Sequence, residues 1–239
     1  MRIALSRPLI SFSFDDFPKS ALLNGGAILR RYGFAGTYYA SLGLMGQLAP
    51  TGRLFEEPDL HELLDQGHEL GCHTFAHCHA WDTRASVFEQ SIIQNRRALR
   101  ECLPGREFTS FAYPISTPRP ATKRIVARYF ACSRAGGQTV NSGTIDLNQL
   151  SAFFLEKSRD RMQVIKDVIT RNADVCGWLI LATHDVSKQP TPFGCTPSLF
   201  EEAVRLAAHS GARVLPVGAA LSALREPAPR TTAAEPPKG

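Results

Sequence analysis

The sequence predicts an α/β protein built on one mainly parallel sheet. Three observations carry that expectation. Short apolar runs alternate with amphipathic runs along the chain, the pattern of strands joined by helical crossovers. Roughly seven strand-like runs occur, which favours a closed or distorted barrel over an open sheet. Acidic and histidine residues also recur where those runs stop, the edge at which α/β folds build their active sites.

The elements follow in order. Residues 8–14 read as a strand, with Leu9, Ile10, Phe12 and Phe14 as its apolar members, and 21–31 as a helix stopped by Gly33. Residues 34–40 form a second strand, and 43–53 have turn composition and no period. Leu60, Leu63 and Leu64 share a face of a short helix over 59–66, with Gly67 as its stop. A short strand then delivers His73. The longest amphipathic helix is 86–103, ahead of Pro104-Gly105. Strand 108–113, helix 121–128 and strand 130–133 come next, then a helix over 160–176 and a buried strand over 178–183. Pro197 opens a helix over 197–209, and strand 213–216 and helix 217–224 close the series. Residues 226–239 are rich in Pro, Ala and Thr, without an apolar period, and read as a disordered tail after a single catalytic domain over 1–225.

Composition narrows the function classes. The chain has 239 residues, 44% hydrophobic and 21% charged, with a net charge of +5, which is ordinary for a globular domain. Arg30-Arg31 and Arg96-Arg97 are isolated pairs on helices, so nucleic acid is not an expected partner. Residues 1–8 lack the apolar run of a signal peptide, and no later stretch reaches membrane-spanning length, so the expectation is a cytoplasmic protein with no transmembrane segment. The six cysteines are irregularly spaced and read as free thiols. Oligomeric state is not legible.

Two segments carry the chemistry. Ser13-Phe14-Asp15-Asp16 closes the first strand, and His73-Thr74-Phe75-Ala76-His77 follows about sixty residues later. Two imidazoles and one carboxylate suit zinc or a similar divalent ion with open positions, and leave the second carboxylate free as a base. Adjacent carboxylates at a strand end point to opposite sides, one toward metal and one toward substrate. His73 and His77 present both rings on one face if their segment is a helical turn. Seven histidines produce this spacing by chance roughly one time in five, so its weight comes from its place after a strand. His79 reads as a loop residue or an outer donor, and His61 and His68 as surface and packing residues. Cys72 and Cys78 flank the motif, but thiolates would suggest a closed structural zinc. His184 ends the most apolar strand, and Asp185 either orients it or caps the next loop.

The chain resembles the NodB-type polysaccharide deacetylases, carbohydrate esterase family 4. The resemblance rests on residues 13–16, on 73–77, on Phe111-Ala112-Tyr113-Pro114 and on the apolar strand 179–183 ending in His184-Asp185, in the family's order over roughly 8–221. It implies a distorted (β/α)7 barrel. It implies Asp16, His73 and His77 as ligands of Zn2+ or another divalent ion such as Co2+, with Asp15 as general base and His184 as general acid. The Ile115 main-chain N–H becomes the oxyanion donor. It implies removal of an acetyl group from an N-acetylated amino sugar or polysaccharide.

The third motif departs from the common Arg-x-Pro-Tyr pattern: Ala112 holds the Arg position and Ile115 the Tyr position. Arg134, just past strand 130–133, is the candidate replacement for the guanidinium that holds the base, with Arg119 and Lys123 as rivals. Asp146 is the nearest candidate for the acidic residue that tunes His184. Tyr113, Pro114 and Trp81 are the expected substrate-binding residues, with Phe193 a further candidate aromatic. Two alternatives stay open: a deformylase or amidohydrolase on a lipid-linked amino sugar or other small amide, and a catalytically silent carbohydrate-binding homologue.

Overall fold

The computed structural model describes residues 1–225; the tail expected at 226–239 lies outside the described residues. Seven parallel strands form a closed barrel. They are β1 (Leu9–Phe14), β2 (Thr37–Ala40), β5 (Glu69–Cys72), β6 (Ser110–Ala112), β7 (Cys132–Ala135), β8 (Leu150–Phe154) and β9 (Trp178–Thr183), each paired with the next, and β9 pairs back on β1. Strand β9 covers one edge of β1 along its whole length, Leu9 to Phe14. The other edge is shared: β10 (Arg213–Val214) takes its start and β2 its end. The seam between β5 and β6 is a single residue pair, Cys72 with Phe111, so the barrel is irregular. Outside it, β3 (Leu48–Ala49) and β4 (Gly52–Arg53) make a small antiparallel hairpin.

Most expected elements are present, with shifted ends. A wide helical turn over Ala21–Gly26 runs into α1 (Ala27–Arg31), followed in sequence by α2 (Glu57–Asp65), α3 (Ala85–Cys102), α4 (Pro120–Tyr129), α5 (Met162–Asp174), α6 (Pro197–His209) and α7 (Val217–Arg225). Two elements escaped the sequence reading. The hairpin β3–β4 lies inside the segment expected to be loop, and β8 was not expected at all. Its residues, Leu-Ser-Ala-Phe-Phe, have no alternation and are followed by Leu155 without a break, so they carry no period-2 signature.

Strand β1 shows how the barrel is filled. Phe12 and Phe14 face outward, where Phe200 of α6 meets them at ring-centroid distances of 5.5 and 5.4 Å. Ser11 and Ser13 alternate with them and are buried. Ser11 Oγ accepts from Trp178 Nε1 at 3.0 Å, which gives the indole the partner a buried tryptophan needs. Helix α7 closes the end of the barrel where strands begin. Its Val217 N–H donates to Thr37 Oγ1 and its Gly218 N–H to Glu69 Oε2, both at 2.8 Å. Gly71 on β5 has no room for a side chain: a Cβ there would lie 2.3 Å from the Tyr39 ring.

His68 locks β5 to the segment before β2. Its Nδ1 accepts from the Gly36 N–H at 3.0 Å, so the ring has to be neutral. Burial lowers its pKa from 6.5 to about 4. Between those values the unfolded chain binds the extra proton and the folded chain does not, so stability rises with pH in that window. Denaturant titrations should therefore show stability falling as pH drops from 6.5 toward 4, by on the order of 3 kcal/mol from this group. A His68→Asn variant should show a flatter slope. An identical slope in both proteins would mean His68 is protonated in place.

Candidate functional site

Because all barrel strands are parallel, their C-terminal ends share one rim. Asp15 and Asp16 follow β1, His73 and His77 follow β5, Ile115 follows β6, Glu156 follows β8 and His184 follows β9. All of them line one cavity of about 510 Å³.

The cluster of Asp16, His73 and His77 sits on this rim, with its candidate ligand atoms within 4.8 Å of one another. Asp16 Oδ1 lies 3.4 Å from His73 Nε2 and 3.3 Å from His77 Nε2, and is buried without a hydrogen-bond partner. His73 Nδ1 pairs with the Ala112 carbonyl at 2.8 Å, so that nitrogen carries the proton and Nε2 presents its lone pair to the cluster. Burial works against ionised Asp16, but the imidazoles of His73, His77 and His184 outweigh it and hold the carboxyl below the usual range. Burial, then His73, lowers His77 to about 4. A partnerless buried carboxylate oxygen facing two imidazole nitrogens fits a divalent cation.

The two histidines meet without a helical turn. Residues 73–77 form a loop in which Thr74 and His77 have φ of 61° and 50°. Ser41 Oγ donates to the His73 carbonyl at 2.9 Å, and the Phe75 and Ala76 N–H groups donate to Ser91 Oγ at 3.0 and 3.3 Å. Asp16 and Phe17 are also left-handed, at 61° and 50°, and so is Ile115, at 58°. Five of the seven non-glycine residues with positive φ among the described residues thus belong to the segments that build this rim. Such conformations cost of order 1–3 kcal/mol each and collect at functional sites.

Asp15 turns into the barrel and meets Arg134, and both side chains are almost fully buried. Arg134 lies within β7, not past it, and is held between two rings, with its Cζ 4.6 Å from the Tyr39 centroid and 5.7 Å from that of Phe154. Its Nε and Nη1 have no hydrogen-bond partner among the described residues. Burial lowers its pKa to about 9. The rivals are elsewhere: Arg119 donates to the Thr83 carbonyl, and Lys123 pairs with Asp146 at the surface.

His184 stands between Phe154 and Phe193, with centroid distances of 6.2 and 5.7 Å. Its Nδ1 pairs with the Phe193 carbonyl at 3.1 Å, which leaves Nε2 as the free ring nitrogen, and burial lowers its pKa. Asp185 caps the following loop: it accepts from the Thr191 N–H at 2.9 Å and from the Thr191 hydroxyl at 2.5 Å. Gly194 packs so closely on it that a Cβ would lie 2.0 Å from Asp185 Oδ1.

Four expected positions, Tyr113, Asp146, Trp81 and Pro114, fall outside the wall of the main cavity. Tyr113 is fully buried, with its hydroxyl donating to the Asn148 carbonyl at 3.0 Å, so its ring is packing and not a sugar platform. Asp146 is committed to Lys123 and to the Asn148 N–H, away from His184. Trp81 and Pro114 line a neighbouring shallow cavity. His79 pairs with exposed Asp82 at 3.0 Å, and the six cysteines are free. Glu156, which the sequence reading passed over, lines the main cavity, and burial raises its carboxyl to about 7. It follows the unexpected strand β8, so no motif pointed to it.

The buried ion pair makes a testable claim on stability. Arg134→Met leaves Asp15 buried without its partner and should cost about 3–5 kcal/mol. Adding Asp15→Leu removes the orphaned charge and should restore most of that loss. Urea unfolding of the two variants decides it; a single variant as stable as the parent would show that the pair contributes nothing.

Residues 3–130 match the family described as Polysaccharide deacetylase. Among solved structures, the chain is similar to the Xyl-CE4 domain of a multidomain xylanase from the hindgut metagenome of Trinervitermes trinervoides, with a TM-score of 0.64, 17% identity and 91% of each chain covered. It is similar to a family 4 acetyl xylan esterase from Clostridium thermocellum in complex with a cobalt ion, with a TM-score of 0.63, 17% identity and 90% of each chain covered. A CE4 family pseudoenzyme from Bacillus anthracis aligns with a TM-score of 0.64 at 11% identity, over 92% of this chain and 67% of that one. At these identities the likeness is one of fold. No curated protein matches the chain. The match covers more than half of the sequence, and the closed seven-stranded parallel barrel is the NodB-type fold: the chain belongs to the polysaccharide deacetylase family.

Proposed function

We propose that residues 1–225 are a catalytic domain that hydrolyses the amide of an N-acetylated amino sugar with the help of one divalent metal ion. The observation that carries this reading is the convergence of two sets of groups on one cavity: Asp16, His73 and His77, and beside them Asp15 and His184. Retention of Asp15 supports an enzyme over a silent relative such as the Bacillus anthracis pseudoenzyme, because Asp15 lines the cavity beside the cluster and is not needed to complete the ligand set. The cobalt ion in the Clostridium thermocellum esterase supports a divalent metal.

Asp16, His73 and His77 would hold the ion. When bound, it supplies Lewis acidity to the amide carbonyl and to the attacking water. Asp15 accepts a proton from that water. Arg134 fixes the carboxylate by charge and by its forked donors. The Ile115 N–H is the donor for the developing oxyanion. His184 Nε2 delivers a proton to the departing nitrogen. The Phe154 and Phe193 rings beside it screen that transfer from bulk water. Trp81 and Pro114 would form a sugar-binding wall beyond Ile115.

Two outcomes follow. Purified protein should carry about one zinc or cobalt equivalent by elemental analysis, and His73→Ala with His77→Ala should abolish it; full occupancy in the double variant would overturn the ligand assignment. Asp15→Asn should keep its metal and lose roughly 10²–10⁴-fold in turnover. Release of acetate is measured on chito-oligomers and acetylated xylan. Release from the xylan ester alone would replace the amide with an ester as substrate.

A further inference from the structure

The reactive groups fill only part of the main cavity. The rest of its wall is apolar. Leu44, Ala49, Pro50 and Leu54 come from the segment after β2, and Phe154 and Phe193 come from the ends of β8 and the loop after β9. The first group stands on the Asp16 side, because Thr51 Oγ1 donates to Asp16 Oδ2 at 3.0 Å. The second flanks His184. At about 510 Å³, the space is in the range of sites that enclose a whole small molecule, roughly 300–1,000 Å³. An acetyl methyl would leave most of it empty or wet.

This wall is built. The Leu54 N–H donates to the Gln47 carbonyl at 2.9 Å, the Gly46 N–H to the Phe55 carbonyl at 2.8 Å and the Phe55 N–H to the Phe17 carbonyl at 3.1 Å. Those bonds and the Thr51–Asp16 contact fasten the β3–β4 hairpin to the rim. Its apolar character continues outward: Leu48 is 80% exposed, Ile115 56% and Phe193 42%.

A sugar ring would be poorly served there. Beyond the groups already assigned, the polar members of the wall are Thr51, whose hydroxyl is spent on Asp16, and the adjacent pair Glu156 and Lys157. Buried hydroxyls without partners are costly. Across Ile115 lies a second, shallow cavity of about 270 Å³, where half-exposed Trp81 stands with His79, Asp82 and Thr117. An indole face beside polar side chains suits a sugar. Ile115 lines both cavities, so a substrate spanning them enters the cavity that holds the Asp16–His73–His77 cluster.

We propose that the substrate is an amphiphile: an amino sugar seated toward Trp81, with an apolar chain longer than a methyl group in the Leu44–Leu54–Phe154–Phe193 cavity. The chain is either the N-acyl group itself or an apolar aglycone. As a reaction, this deepens the hydrolase reading and rests on it. Water adds to the carbonyl, the C–N bond breaks, the carbonyl carbon gains the oxygen and leaves as a carboxylate, and the nitrogen leaves as an amine with the proton. As a statement about binding, it stands on the cavity alone.

Two ladders test it. One is N-acetyl-, N-butanoyl- and N-octanoyl-glucosamine. The other is the methyl, butyl and octyl β-glycosides of N-acetylglucosamine. Chitotetraose is the polymer reference. Metal-loaded enzyme gives kcat/KM for each, and calorimetry gives affinities on the Asp15→Asn variant. One ladder should climb in both readouts, by up to about fourfold for each buried methylene, and its identity names the source of the chain. Leu44→Gln and Phe193→Gln should flatten the climbing ladder. Flat or falling ladders, or chitotetraose surpassing every octyl member, would overturn the proposal while leaving the hydrolase reading intact. Graded binding without hydrolysis of any member would do the reverse.

Discussion

Arg134 and Asp15 meet inside the barrel, 119 residues apart in sequence and almost completely shielded from water. Neither charge is tolerable there alone, since taking an ion out of water costs several kcal/mol that only a well-placed partner returns. The pair therefore sets conditions on its surroundings. Strands β1 and β7 have to hold their relative positions, and Tyr39 and Phe154 have to present ring faces to the guanidinium, at 4.6 and 5.7 Å. Tyr39 in turn leaves no space for a side chain at position 71, which is glycine. A chain of close contacts thus runs from β5 through Tyr39 and Arg134 to the carboxylate at the end of β1.

The neighbouring residue solves a different problem. Strand alternation would send Asp16 away from Asp15, but left-handed backbone at Asp16 and Phe17 bends the chain so that both carboxylates line the same cavity with separate partners. The loop that carries His73 and His77 uses the same device, at Thr74 and His77. These are unfavourable conformations for residues with a side chain. They persist because the flanking backbone is tied down, by Ser41 and Ser91 around the histidine loop and by Phe55 against Phe17. The strain is local and the restraint comes from the barrel, which is how a rigid scaffold holds reactive groups at short distances.

Charge is distributed unevenly within the cavity. Asp16 is surrounded by imidazoles that favour its ionised form, whereas Glu156 is in surroundings that disfavour ionisation and lift it to about 7. Two carboxyls at one rim are thereby driven apart in acidity by position alone, the arrangement that lets a site assign different proton roles to chemically similar groups. The apolar walls on either side strengthen both effects by lowering the local dielectric. No helix among the described residues is long and apolar enough to cross a membrane.

The α/β class and the order of the four motif segments were legible in local patterning: apolar runs that end in acidic or histidine residues, with Gly and Pro marking the breaks. The seven-stranded barrel, and the choice of Asp16 with His73 and His77 as the candidate ligands, came from the resemblance those motifs carry to a known family, because patterning alone left both open. Tertiary structure decided what depends on contacts between distant segments. Strand β8 has no period of its own and exists because β7 and β9 flank it; with it went Glu156, whose position follows from that strand. The His73–His77 loop has helical spacing but no helix, because positive φ at Thr74 and His77 brings the rings together instead. Tyr113 looked like a sugar platform and is buried beneath Asn148, and Asp146 is drawn to Lys123 at the surface. Arg134 could be named as a candidate from the gap at Ala112. Which of three cations reaches Asp15 depends on which one points into the barrel, and that is settled by strand register and packing.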